Sequence, residues 1–441
     1  MRRIPSDQWP LIAAVLVLLV SGGALVFYIL FQKPPPGGAG VPSPGRPAAP
    51  APVRSLSSLA PEPRWESLDR FADTQTTSDF RQAMDRVYGD GTPAWQSLLT
   101  LVEGTGGPPR VDITRWSADA AAPRQPLSLR GTRPPPRYWR EASELPPSPD
   151  PVARPLDGVK VAIDPGHIGG AWARMEQRWY QSPGSTTAVM EGEMTLMTAR
   201  LLQPALEALG ATVFLVRDGA EPVTATRPDD YAALATTPQQ AELFFYRKAE
   251  IRARADRVNR QIRPDLLVCL HFNAEPWGEP DTVTFTEINH LHLIVNGHYD
   301  ATELALDDVR HEMLERVFQR SEREELRLAD AVSRSLAAAT GLPPYDYGAG
   351  HMAGNAHRPL PENPYVWARN LMANRLYQCP VVFTEPYVMN NREVHDRVVA
   401  GDYEGERLVA GKRRPSLYRE YADAVAAGLK AHFLAHRPSG K

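Results

Sequence analysis

The sequence is poor in cysteine and has no large excess of charge. Its 441 residues include 2 cysteines, and the formal net charge at pH 7 is −3. Two cysteines exclude both a disulfide framework and a cysteine-rich zinc site. Cys269 and Cys379 each lie in an apolar run, which favours a role as small buried side chains. A nearly neutral chain gives no electrostatic reason to expect nucleic acid as a partner.

Charged residues are also missing from one long segment, between Asp7 and Lys33. Residues 9–31 are almost wholly apolar and, at ~1.5 Å per residue, long enough to cross a ~30 Å hydrocarbon core. A cleaved signal peptide would have a shorter apolar core. Arg2 and Arg3 precede the run, so the amino terminus is expected in the cytoplasm. We therefore expect an uncleaved single-pass anchor in the inner membrane, with the rest of the chain in the periplasm or on the outer face.

Proline is the residue in excess, with 43 copies, concentrated before residue 155. A segment of Pro, Gly, Ala and Ser follows the apolar run and cannot bury enough apolar surface to order itself, which indicates a tether. Two helical patterns come next, over residues 78–87 and 93–102, and then a Pro-rich piece that we expect to wrap the following domain in extended form. The predicted organisation is an anchor, a linker, an accessory region and a catalytic domain: residues 1–33, 34–60, 61–156 and 157–437.

From residue 159 onward, apolar runs alternate with amphipathic stretches. This alternation predicts an α/β fold with a mostly parallel, twisted sheet flanked by helices on both faces. The predicted strands cover residues 159–164, 211–216, 265–271, 290–295 and 380–385. The predicted helices cover residues 192–209, 239–262, 319–340 and 415–436. The region contains no internal repeat and no phosphate-binding glycine motif.

The first candidate functional residue is His167, which follows the strand at residues 159–164. Asp164, Pro165 and Gly166 form a strong turn signal between that strand and the histidine. Ligands in open α/β sheets bind in the crevice beyond the carboxyl ends of the strands. His167 is therefore expected to face a cleft from a rigid support.

Two further residues complete a possible ligand set. Glu191 opens the helix at residues 192–209, where an acid could also simply favour the helix dipole. His271 ends a fully apolar strand, where it could also be an ordinary core residue. Together with His167, however, they supply two imidazoles and one carboxylate. That set is typical of catalytic zinc sites, which keep a fourth position for water.

Glu385 ends another apolar strand, at residues 380–385. A carboxylate in such a place is costly unless it is paired, binds metal or takes part in chemistry. A zinc-bound water has a pKa of ~7, and a nearby carboxylate can take its proton and pass it to a leaving amine. The arrangement fits metal-assisted hydrolysis of an amide.

These motifs resemble those of the zinc-dependent N-acetylmuramoyl-L-alanine amidases. The family opens with Ile-Asp-Pro-Gly-His-Gly-Gly, and residues 163–170 read IDPGHIGG, with Ile168 added after the histidine. The family's ligand Glu precedes a helix, as Glu191 does here. The strand that ends in His-Ala-Asn corresponds to the segment His271 to Asn273, and the late catalytic Glu corresponds to Glu385. The resemblance covers about residues 157–435.

The resemblance implies an enzyme that hydrolyses the amide bond between N-acetylmuramic acid and L-alanine in peptidoglycan. It implies one zinc ion held by His167, Glu191 and His271, with Glu385 as the catalytic residue. Arg254 and Asn273 are the expected substrate-binding residues. Two alternatives remain open: another zinc peptidase that acts on cell-wall peptides, and a catalytically silent scaffold that binds peptidoglycan.

The segment at residues 275–318 departs from the family pattern, and a glycine-rich loop follows later in the chain. His290 and His292 would share one face of a strand, which suits a metal, but surface or supporting roles are expected for them and for His298. His351 and His357 fit a plain surface loop or one that contacts substrate. The acidic stretch at residues 307–324 fits a solvated helix face. Alternatively, it is a helix that covers the zinc until an activator protein displaces it.

Overall fold

The computed structural model describes residues 53–104, 106–119, 121, 123–348 and 354–439. The strands are β1 Leu99–Val102, β2 Arg110–Thr114, β3 Arg124–Ser128, β4 Lys160–Pro165, β5 Trp179–Gln181, β6 Ala188–Met190, β7 Thr212–Leu215, β8 Leu266–Leu270, β9 Leu291–Val295, β10 Val366–Ala368, β11 Val381–Pro386, β12 Arg407–Val409 and β13 Lys412–Arg414. The helices are α1 Thr77–Ala83, α2 Glu191–Ala208, α3 Pro238–Phe244, α4 Glu250–Asp256, α5 Ala301–Leu304, α6 Asp307–Gln319, α7 Ser321–Thr340, α8 Met372–Arg375, α9 Arg392–Val399 and α10 Leu417–His436.

A six-stranded sheet in the order β10-β9-β11-β8-β4-β7 forms the centre of the molecule. Strands β7, β4, β8 and β11 are parallel, whereas β9 pairs with β11 in the antiparallel direction and β10 follows β9. The predicted α/β fold with a mostly parallel sheet is confirmed. The parallel strands end at one edge of the sheet, so the residues that follow β4 and β8 are neighbours there.

Successive side chains of each strand point to opposite faces of the sheet, so the strands contribute to two separate cores. In β4, Val161 and Ile163 pack on one face with Leu202 of α2 and Leu429 of α10. Ala162 faces the opposite core, which includes the end of the predicted helix at residues 239–262. That helix is a continuous rod, because turns with π-type hydrogen bonds extend α3 and α4 to residue 262. Both faces are thus covered, as a parallel sheet requires.

The region before residue 156 shares its core with the catalytic part. Phe71 and Phe80 pack against Phe318 of α6, each with ring centroids 5.8 Å apart. The first predicted helix exists as α1, capped by Thr76, and continues as a π-type turn. The second prediction, a helix at residues 93–102, is wrong beyond a short 3-10 turn, because β1 begins at Leu99. Leu99 and Leu101 pack as alternate residues of a three-stranded antiparallel sheet, β1-β2-β3.

The predicted solvated face of the acidic stretch is also wrong. Helix α6 is buried along nearly its whole length, including Asp307 and Asp308. The Asp307 carboxylate accepts hydrogen bonds from the backbone N–H groups of Ser55 and Ser117, at 2.7 and 2.9 Å. The acids of this helix therefore attach the amino-terminal region to the catalytic part.

The placement of α6 bears on the idea that it covers the zinc. Its Arg316 donates to the carbonyls of Tyr377 and Cys379, which precede β11. These contacts lie at the opposite end of the strand from Glu385. The hypothesis that α6 covers the metal ligands is therefore wrong for this chain, because the helix packs elsewhere.

Within the described residues, none of the helices combines the length and the apolar character needed to cross a bilayer. The predicted anchor at residues 1–33 lies outside the described residues, as does most of the predicted linker.

Candidate metal centre

His167 lies in a tight loop directly after β4. Its backbone adopts a left-handed conformation, with φ of 58°. Gly166 precedes it, and a Cβ at that position would lie 2.3 Å from the His271 ring. Glycine is therefore needed there for the two histidines to approach each other. The rings of His167 and His271 are 5.3 Å apart between centroids.

The added residue Ile168 anchors this loop. Its side chain is fully buried against Phe245 and Tyr246 of the long helical rod. Its N–H donates to the Glu176 carboxylate at 2.9 Å, and the N–H of Gly169 donates to the same carboxylate at 3.1 Å. The insertion therefore adds a hydrophobic contact and keeps the histidine in place.

Glu176 is a supporting residue that the sequence reasoning did not identify. Its carboxylate is buried and lies 3.4 Å from Nδ1 of His167. Burial opposes ionisation, but the hydrogen bond and charge of His167, together with the loop N–H groups, lower the pKa of Glu176. An ionised carboxylate at Nδ1 orients the ring and leaves Nε2 to bind a metal. The one hint of this role in the sequence was an acidic residue a few positions after the IDPGH motif.

Glu191 is the first residue of α2 and is buried. A Cβ on the next residue, Gly192, would lie 2.3 Å from the backbone N of Gly169. The glycine thus lets the start of the helix pack against the loop that carries His167. Arg217 donates to the Gly192 carbonyl at 2.7 Å and secures the same corner.

His271 follows β8 at the adjacent strand end. Its ring stacks on Phe383 of β11, with centroids 4.5 Å apart. The hydroxyl of Tyr421 donates to its carbonyl at 3.1 Å. The strand pairing and the stacked ring together fix the direction in which the imidazole points.

The three predicted ligands come together. One ligand atom from each of His167, Glu191 and His271 lies within 4.8 Å of the others. Oε1 of Glu191 is 3.2 Å from Nδ1 of His271, and Oε2 is 3.3 Å from Nε2 of His167. Oε2 is buried and accepts no hydrogen bond from the described residues. Two imidazoles and one buried carboxylate whose ligand atoms converge are a donor set that fits a bound divalent cation.

Arg178 is a second neighbour of the cluster that the sequence did not single out. It precedes β5, and its Nε lies 3.1 Å from Oε2 of Glu191. Burial raises the pKa of Glu191, but His167, His271 and Arg178 outweigh it, and the net effect is a lowered pKa. The carboxylate is therefore ionised, the form that binds a metal.

Glu385 lies beside the cluster on the same face of the sheet. It comes two residues after Phe383, the ring that stacks on His271, and side chains two residues apart in a strand share a face. Burial and then the nearby Glu191 carboxylate raise the pKa of Glu385. Two carboxylates with oppositely shifted pKa values are typical of a ligand and an acid–base group in one site.

The prediction that Arg254 binds substrate does not agree with its position. It is buried, and its guanidinium donates to Asp164 and Glu250 and to the carbonyl of His167. All of these contacts are internal, so Arg254 supports the histidine loop from behind. Asn273 is partly exposed at the strand end near His271, and its role stays a prediction.

The additional histidines have different surroundings. His290 and His292 share one face around β9, as predicted. Both are buried, so of the expected surface or supporting roles only a supporting role agrees with their position. His298 and His357 lie 3.0 Å apart between Nδ1 atoms, and His357 is also 2.8 Å from the carbonyl of Arg86. His351 lies outside the described residues.

Comparison with known proteins gives one decisive match. A profile of the N-acetylmuramoyl-L-alanine amidases matches residues 161–410, more than half of the chain. That segment contains His167, Glu191, His271 and Glu385. A comparison with curated proteins gives no significant match.

Several solved structures are similar to part of this chain. One is the apo form of the N-acetylmuramyl-L-alanine amidase Ami1 from Mycobacterium abscessus, with 20% identity over 63% of this chain and 99% of that chain, and a TM-score of 0.35. The Ami1 amidase from Mycobacterium smegmatis has 18% identity over 64% and 99%, with a TM-score of 0.36. The CwlD amidase from Clostridioides difficile, in complex with the GerS lipoprotein, has 12% identity over 62% and 98%, with a TM-score of 0.37.

The profile carries the assignment, and the buried donor set agrees with it. The chain belongs to the N-acetylmuramoyl-L-alanine amidase family and hydrolyses the amide bond between N-acetylmuramic acid and L-alanine in peptidoglycan.

Proposed function

We propose that the amide bond is cleaved at the cluster of His167, Glu191 and His271, which holds one zinc ion. The observation that carries this proposal is the convergence of their ligand atoms within 4.8 Å of one another, around a buried carboxylate. When bound, zinc polarises the scissile carbonyl and lowers the pKa of a water molecule.

Glu385 is the proposed acid–base residue. Its raised pKa lets it accept a proton from the attacking water and then deliver that proton to the leaving amine of L-alanine. Arg178 and Glu176 support the reaction differently. Arg178 balances the charge of Glu191, and Glu176 holds the loop and ring of His167. Asn273 is proposed to contact the substrate at the same strand end.

The location of the enzyme is a separate proposal. The apolar segment at residues 9–31 and the Pro-rich segment after it support a single-pass anchor and a tether. A tethered enzyme outside the inner membrane would reach peptidoglycan without a dedicated wall-binding module. Protease accessibility in intact spheroplasts tests this orientation, and protection of the catalytic part would contradict it.

Digestion of purified peptidoglycan by the full chain, purified in detergent, tests the function. We expect products with free muramyl lactyl groups and free amino-terminal L-alanine, and no cleavage between amino acids of the stem. Chelator should stop the reaction, and added zinc should restore it. Cleavage within the stem would favour a peptidase, and release of no product would favour a binding scaffold. Undiminished digestion in chelator would overturn the metal assignment.

A further inference from the structure

A second group of buried polar side chains lies next to Glu385, on the side away from His271. We call it the imidazole–tyrosine cluster; its members are His290, His292, Tyr345, Tyr347 and Arg369. The exposed fractions of His290 and His292 are 4% and 2%. In the described part of the chain, Nδ1 of each histidine has no hydrogen-bond partner, and Nε2 of His290 lies 3.5 Å from Oε1 of Glu275. The amidase reaction as derived above uses none of these residues.

The cluster is adjacent to the reacting centre through the sheet. In the antiparallel pairing of β9 and β11, His292 lies directly opposite Glu385. Residues paired in this way project on the same face, with Cβ atoms about 4.5–5.5 Å apart. His290 is one step further toward the edge where the metal ligands gather. His290 and His292 therefore lie on the same face of the sheet as Glu385.

Aromatic rings and one cation complete the cluster. The Tyr345 ring packs against His290 and His292, at 4.5 and 5.0 Å between centroids. The Tyr347 hydroxyl lies 3.1 Å from Nε2 of His292 and accepts a hydrogen bond from Arg369 at 3.3 Å. Tyr345 and Arg369 are both partly exposed, so a ligand can reach them.

The chemistry of the cluster favours an organic ligand with amide groups. The rings of His290 and His292 are 6.1 Å apart between centroids. Their nitrogens do not converge as those of the metal cluster do, since the ligand atoms that converge in the described residues are those of His167, Glu191 and His271. Burial lowers the pKa of His292, so its ring is neutral. A neutral imidazole offers one donor and one acceptor, and because Nε2 of His292 faces the Tyr347 hydroxyl, Nδ1 is left for the N–H or C=O of an amide.

The order of strands indicates which part of the substrate reaches the cluster. Across the sheet, the metal ligands follow β4 and β8, Glu385 lies in β11, and the cluster lies on β9 and beyond. Glu385 protonates the leaving amine, so the amine lies on its side of the scissile carbon. The peptide that continues from that amine then extends over β9. The guanidinium of Arg369 suits a carboxylate of that peptide.

We propose that the imidazole–tyrosine cluster is the subsite for the stem peptide, with His290 and His292 binding its amide groups and Arg369 binding an acidic group. This assignment rests on the proposed function, because the direction of the peptide follows from the role of Glu385. It makes His290 and Arg369 specificity-determining residues for peptides longer than one amino acid.

Two muramyl substrates test the subsite: muramyl-L-alanine, and muramyl-L-alanine extended by a γ-linked D-glutamate and a third residue. The readout is the ratio of kcat/KM for the long and the short substrate, measured with the full chain. We expect His290→Phe and Arg369→Gln each to lower this ratio about tenfold, since each removes hydrogen bonds made to the longer peptide alone. Arg358→Gln is the matched control, because Arg358 is exposed and lies over the Trp367 ring, and its loss should leave the ratio unchanged.

The outcomes separate this proposal from the proposed function. An unchanged ratio in both variants overturns the subsite, even if both substrates are cleaved. Should the unaltered chain cleave neither substrate, the proposed function fails, and calorimetric binding of the free stem tripeptide then decides the subsite alone. The subsite is supported if Arg369→Gln weakens binding of the tripeptide and Arg358→Gln does not. It is overturned if the two variants bind the tripeptide equally well. If His290→Phe does not fold, the partly exposed Arg369 still provides the test.

Discussion

Two regions of this molecule bury charged side chains, and they do so in opposite ways. In α6, the buried Asp307 and Arg310 are 2.7 Å apart, and Asp307 also accepts two backbone N–H groups. Arg310 donates to the carbonyls of Thr114 and Leu304 as well. The main charged groups of this region have partners within the protein.

In the metal centre, the ligand atoms of two histidines and one buried carboxylate converge instead. The Glu191 carboxylate pairs with Arg178, and Glu385 faces Glu191 as a like charge. Oε2 of Glu191 accepts no hydrogen bond from the described residues. A buried ion pair stabilises the fold only if its geometry is complete, whereas two imidazoles and one carboxylate that converge are suited to bind a cation. The comparison teaches that a buried acid can attach one part of the fold to another or bind a metal, and that its neighbours in the folded protein distinguish the two roles.

The largest expected effect follows from removing the charge of Glu385. Glu385→Gln should lower kcat by about 10²- to 10⁴-fold, because the proton of the attacking water then has no acceptor. Zinc content, measured by atomic absorption, should stay at one ion per chain. Glu406→Gln, at an exposed ion pair, is the control and should keep full activity. Retained turnover in the Glu385 variant would overturn its role.

The second effect concerns the metal itself. His271→Ala should lose zinc on dialysis and lose hydrolysis with it, because two ligands hold the ion far less tightly than three. His436→Ala, an exposed histidine at the end of α10, is the comparison variant and should retain zinc. Stoichiometric zinc in the His271 variant would exclude it as a ligand.

The third effect tests the balanced region. Asp307→Ala should lower the free energy of unfolding by about 3–5 kcal/mol, because it leaves the buried Arg310 charge without its carboxylate. Zinc affinity of the folded protein should not change. Asp112→Ala breaks a more exposed pair with Arg110 and should cost less than about 1 kcal/mol. Equal costs, from urea unfolding, would contradict the distinction drawn here.

The smallest effect concerns pH. Glu322 of α7 is buried with one carboxylate oxygen unpartnered, and burial raises its pKa to about 7. Because the folded state holds this proton more tightly than the unfolded state, the contribution of Glu322 to stability is greatest below pH ~4.5 and is lost as the pH rises through about 7. Glu322→Gln should therefore be more stable than the parent by up to about 3 kcal/mol at pH 8, with no difference near pH 4.

Urea unfolding of the two proteins across this pH range measures the effect. Glu406→Gln, which removes an exposed carboxylate, is the comparison variant, and its difference in stability from the parent should be the same at every pH. A constant difference between Glu322→Gln and the parent at all pH values would mean that Glu322 is not protonated in the folded state at pH 5–7.

Sequence reasoning succeeded where a local pattern has one physical outcome. Apolar runs that end in a polar residue predicted β4, β8 and β11, and the residues that follow them, His167 and His271, meet as parallel strand ends must. It failed for α6, where acidic composition suggested exposure. Asp307 and Asp308 are buried because their partners, Ser55 and Ser57 among them, lie some 250 positions away. The charge pattern of a short segment cannot reveal partners that lie so far away in the sequence.

By itself, the sequence determined the α/β class and the family resemblance. It also proposed His167, Glu191, His271 and Glu385 as site residues, and the first three converge in the structure. These predictions depend on the hydrophobic periodicity and on short motifs, both of which are properties of residues close together in the sequence. The tertiary structure alone decided that Arg254 is internal, that Glu176 and Arg178 support the ligands, and that His290 and His292 lie beside Glu385. The physical reason is that these roles depend on burial and on distances between strands that meet only after folding.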